Sequence, residues 1–171
     1  MHCMSRFRDI LFFVLVFLLQ LALADYLHLG PWITVCLLPF LILIIPLQRS
    51  PHGVMLAAFG LGLLLDILSA GAIGLNAFAA VMAAAPRKFL YRSIVDNDRQ
   101  DETTVPLLRT AGFAKYVPYL LALTAIYVAA FVLLDCTSVR PVGFILVKFV
   151  ASTVVSTALS LLLAFAYQHR Y

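Results

Sequence analysis

The chain has 171 residues, of which 64% are hydrophobic and 12% charged. A soluble domain carries about 25% charged residues, so this chain lacks the charge to cover a globular surface in water. That excludes a water-soluble enzyme, a disordered region and a nucleic-acid-binding domain, and leaves an all-α integral membrane protein of one domain, 1–171.

Six apolar stretches, all but one free of charge, are candidates for crossing about 30 Å of hydrocarbon: 10–24, 31–47, 53–69, 74–85, 116–134 and 149–167. The first follows Arg6 and Arg8 and ends in Ala22-Leu23-Ala24 before Asp25. That pattern also reads as a cleavable signal peptide, but retention is expected because further spans follow at once. The second opens on Pro31 and holds Pro39, where a kink is expected. The third contains Asp66, an acid inside a span, and the fourth is the shortest, borrowing length from the 68–73 corner.

Between spans four and five lies the loop 86–115. Residues 86–95 read as an interfacial amphipathic helix or a continuation of span four. Phe89, Leu90, Ser93 and Ile94 share one face, and Arg87, Lys88 and Arg92 are expected toward headgroups. Residues 96–102 are polar and mostly acidic, a solvated linker or a docking segment. Pro118 is expected to mark the end of span five.

In span six Ser152, Ser156 and Ser160 recur every fourth residue, Ala164 extends the line, and Thr153 and Thr157 lie beside it. Small residues at that spacing let helices approach closely, so a packing face within the bundle or toward a partner is expected. Ala58-x-x-x-Gly62 and Ala80-x-x-x-Ala84 offer the same in spans three and four. Lys148 is expected to snorkel to the headgroups.

The basic residues set the expected sidedness. Arg6, Arg8, Arg49, Arg87, Lys88, Arg92, Arg99, Arg109, Lys115 and Arg170 fall on one side of a six-span chain, against Arg140 on the other. Both termini and the 86–115 loop are therefore expected inside. Cys3, Cys36 and Cys136 fall at three different levels, and His2, His28, His52 and His169 are scattered. No disulfide, metal site, cofactor or catalytic residue is expected.

One constellation stands out. A carboxylate at a helix centre costs about 2.5–3.5 kcal/mol on insertion scales, so Asp66 needs partners. Gly71 and Gly74 permit positive φ, so the chain bends after Asp66 into a corner. There the carboxylate is expected to accept from the free amides that open span four, or from Asn76. A structural staple, a partner contact and proton or substrate handling are the three roles open to it.

The stretch 53–80, with Gly60-x-Gly62-x-x-x-Asp66, a small-residue corner and Gly74-Leu75-x-Ala77, resembles the central signature of the bacterial rod shape-determining protein MreD family. The proline-led second span and the basic loop before the last two spans are similar too. Where that family often has Pro-Asn or Pro-Asp before span two, this chain has Pro31-Trp32. The resemblance implies a non-enzymatic scaffold of the inner membrane that works with an MreC-like bitopic protein, the MreB filament and the lateral-wall polymerase and transpeptidase. The alternative is a vitamin-binding subunit of an energy-coupling transporter, a similar six-span fold, for which Asn76, Thr124, Tyr127 and Ser152 are the polar groups on offer. An intramembrane enzyme using Asp66 and Lys148 is a third reading, without motif support.

Overall fold

The computed structural model describes residues 2–26, 34–45, 50–69, 73–95, 112–135 and 142–168. Every regular element among them is a helix: α1 His2–Tyr26, α2 Leu38–Ile44, α3 Pro51–Leu68, α4 Leu75–Ala84, α5 Arg87–Ile94, α6 Phe113–Asp135 and α7 Val142–Gln168. Three of these, α3, α6 and α7, contain segments long and apolar enough to cross a membrane, while Ile10–Ala24 of α1 and the whole of α4 are shorter apolar helices.

The bundle is apolar outside and keeps several polar side chains within its apolar core. Ile10, Leu11, Val14, Leu15 and Leu18 are exposed on α1, Leu56, Phe59, Leu64 and Ile67 on α3, and Val150, Val154 and Leu162 on α7. Gln20, Asp66, Lys148, Ser152, Ser156 and Ser160 are buried. Lipid favours that arrangement, because it solvates hydrocarbon and leaves polar groups to find partners inside the protein.

α3 packs on α4, α4 on α6 and α6 on α7, while α2 touches α1, α3, α4 and α6. The short α2 is thus the axis of the bundle: Leu38, Phe40, Leu41, Ile42 and Leu43 are at most 1% exposed. A helix apolar on every side belongs in a core.

The second apolar stretch differs from the continuous helix expected there. Residues 34–37 are not helical, and α2 begins only at Leu38. Pro39 therefore sits in the first turn of a helix, where its missing N–H costs nothing, and makes no internal kink. Pro118 departs the other way, since α6 starts at Phe113 and the proline lies inside it. α5 is a separate helix following the turn at Ala85 and Pro86.

Candidate functional site

The Asp66 corner begins with a close approach. A Cβ at Gly62 would lie 2.5 Å from Ala77 Cα and 2.7 Å from Asn76 O, so only glycine lets α3 touch the first turn of α4. Asp66, four residues on, shares that face of α3 and is 1% exposed. Its Oδ2 accepts from Gly74 N at 2.9 Å and Ala77 N at 3.1 Å. Its Oδ1 accepts from Asn76 N at 3.1 Å and Asn76 Nδ2 at 2.8 Å.

Asp66 therefore serves the N-terminus of a helix to which it does not belong. Gly74 occupies the cap position of α4 with φ +98°, has no side chain to cap with, and only glycine adopts that conformation cheaply. The carboxylate supplies the missing acceptor and sets its negative charge at the positive end of α4. Asn76 extends the network, its Oδ1 accepting from the Tyr127 hydroxyl of α6 at 2.7 Å. Gly62, Asp66, Gly74 and Asn76 are one unit. Gly60 lies elsewhere, exposed and with nothing within 4 Å of a Cβ placed on it. Gly71 lies outside the described residues.

The serine face of α7 meets backbone. Ser152 Oγ accepts from Thr34 N and Ser156 Oγ from Cys36 N, both at 2.9 Å. From the opposite side Gln20 of α1 accepts from Leu37 N at 2.6 Å and donates to Val35 O at 3.3 Å. Successive residues thus turn their polar groups to alternate sides, as extended backbone does. Non-helical backbone in lipid needs partners inside the protein, and these three side chains serve the amides of Thr34, Cys36 and Leu37 and the carbonyl of Val35. The next rung, Ser160, is fully buried, and its hydroxyl and that of Thr157 have no partner among the described residues. Thr124 and Thr153 donate to carbonyls of their own helices, Leu120 O and Phe149 O, each at 2.8 Å.

At the other end of α2, Arg87 corrects the headgroup expectation. It is 3% exposed, and its guanidinium donates to Leu43 O at 3.2 Å and to Ile45 O. The last carbonyls of a helix lack partners of their own, and a cation there also complements the helix dipole. Burial pulls the Arg87 pKa below its ordinary value while Tyr119 pushes it back up; an arginine stays charged regardless. The buried face of α5 is Arg87 and Tyr91, with Tyr91 edge-on to Tyr119 at 5.7 Å, and Phe89 points outward. Lys115 Nζ caps the other end of α5 by donating to Val95 O at 3.0 Å.

Lys148 does not snorkel. It is 6% exposed and pairs with Asp135 at the end of α6 at 2.5 Å. Spatial convergence joins neither Lys148 to Asp66 nor the serine face to the corner through any described hydrogen bond. Gln20 is a polar partner that the sequence pattern also signals, since an amide inside an otherwise apolar stretch bonds within the bundle. No family model, curated protein or solved structure matches this chain.

Proposed function

We propose that this chain is a multi-pass scaffold of a bacterial inner membrane, acting in the cell-elongation machinery as the MreD family it resembles does. One observation carries the reading. An ionised carboxylate has about four acceptor positions, and Asp66 meets four donors of its own chain. The acid at the heart of the resembling stretch shapes a corner and keeps no free lone pair for a substrate or a proton relay.

In this reading the termini and the 86–115 loop lie in the cytoplasm and the Asp66 corner near the outer leaflet. The bundle holds an MreC-like bitopic protein, and through the complex serves the MreB filament and the lateral-wall polymerase and transpeptidase. Depletion in a rod-shaped host tests this by microscopy: cells are expected to round up, and unaltered rods would overturn it.

The interrupted second span favours a second reading. Broken helices at membrane depth are common where transporters bind substrate, and the Thr157 and Ser160 hydroxyls are buried without partners. That suits a vitamin-binding subunit of an energy-coupling transporter. Mass spectrometry of an organic extract of the purified protein separates the two, since a stoichiometric vitamin supports the second reading and counts against the first.

A further inference from the structure

The ladder that holds residues 34–37 has three serine rungs and uses two. Ser152 and Ser156 take the amides of Thr34 and Cys36, while Ser160 is fully buried with an unpartnered hydroxyl. Four residues of helix rise about 6 Å, and two residues of extended chain advance about 6.6 Å. Serines at every fourth position therefore keep step with every second amide. The amide in step with Ser160 is that of Leu38, but the chain has already turned into α2, with Leu37 at φ −99° and ψ −8°.

The first turn of α2 is cheap to undo. Pro39 has no N–H to lose, and the residue before a proline favours extended backbone. Outside the helix's own ladder the turn is closed by Leu37 O, shared by Phe40 N at 3.0 Å and Leu41 N at 3.3 Å. At its far end α2 is gripped by Arg87, whose Nε is itself buried without a partner.

We propose that span two is a strut of two lengths. In the second state Leu37 and Leu38 join the extended run, the Leu38 amide donates to Ser160 Oγ, and α2 starts after Pro39. Gln20 holds Val35 and Leu37 in both states and is the fixed point. Two residues passing from helical to extended rise lengthen the strut by about 3–4 Å. Because α2 ends on Arg87, that displacement reaches α5, so the strut couples the Gln20–Ser152 level of the bundle to α5. The proposal stands apart from either functional reading.

Leu38-Pro39 is the only Leu-Pro step in the chain. Full-length protein in lipid bilayers, labelled with 13C-leucine and 15N-proline, therefore gives a single one-bond correlation that reports the backbone of Leu38 by solid-state NMR. Wild type is expected to show a helical Leu38 signal and an extended one, in exchange. Ser160→Ala should cut the extended share about fivefold, the equivalent of one hydrogen bond at about 1 kcal/mol. Arg87→Lys, which loosens the clamp, should raise it. Should Ser160→Ala not fold, Ser160→Cys replaces the hydroxyl by a weak acceptor of similar size. A lone helical signal without exchange overturns the proposal, as does an extended population indifferent to residue 160.

Discussion

Asp66 and Asn76 are joined twice at one oxygen, the aspartate Oδ1 accepting from both the backbone amide and the side-chain amide of Asn76. A carboxylate only accepts, so it fixes which end of the asparagine faces it. The other end, Oδ1, is thereby turned to the Tyr127 hydroxyl. One buried acid on α3 thus orients a contact between α4 and α6.

Replacing Asp66 by leucine removes both carboxylate oxygens that accept from the start of α4. Each buried amide left without a partner costs about 1–3 kcal/mol. Asp66→Leu should lower the thermal midpoint in detergent strongly, and Asp66→Asn, which keeps one oxygen, less so. Equal midpoints for wild type and Asp66→Leu would contradict the capping role.

Gly62 and Gly60 lie two residues apart on α3 and should respond with opposite sign. Gly62→Ala places its Cβ against Ala77 backbone, which side-chain rotation does not relieve, and overpacking of that kind costs about 1–3 kcal/mol. At Gly60 a Cβ meets nothing within 4 Å, and glycine to alanine in a helix interior stabilises by about 0.5–1 kcal/mol. Paired melting curves check the sign.

Tyr127→Phe leaves the ring in place and deletes the bond to Asn76 Oδ1. A loss of about 1 kcal/mol is expected. The effect should shrink in an Asn76→Ala background, because two members of one network are not additive. A double-mutant cycle by denaturant or thermal unfolding measures that coupling.

Arg87→Leu strands the carbonyls of Leu43 and Ile45 at the end of the core helix. Hydrogen bonds from a charged donor contribute about 1.5–3 kcal/mol, so this variant should rank among the most destabilised. Arg87→Lys keeps the charge but not the forked geometry and should fall between. A ranking by thermal unfolding in which lysine equals leucine would reduce Arg87 to its charge alone.

The sequence by itself determined the helical class, most helix positions and the Asp66 corner. Long apolar stretches have one outcome in lipid, and they place α3 and α6 to within three residues at each end, whereas α7 begins at Val142, ahead of the expected 149 and with Lys148 inside it. The corner was legible because its donors, Gly74, Asn76 and Ala77, follow Asp66 within eleven residues. Tertiary structure alone decided the second apolar stretch, 31–47, of which residues 34–45 are described. Its residues are apolar whether helical or extended, so hydropathy reports the solvent and is silent on the backbone. The partners that allow it to leave the helix lie far off: Ser152 is 118 residues from Thr34, and Ser156 is 120 from Cys36. Arg87 likewise reads from sequence as a surface cation, and becomes a helix cap only because folding brings Leu43, 44 residues earlier, beneath it. Backbone groups look alike at every position, so which of them a distant side chain will serve is settled by packing.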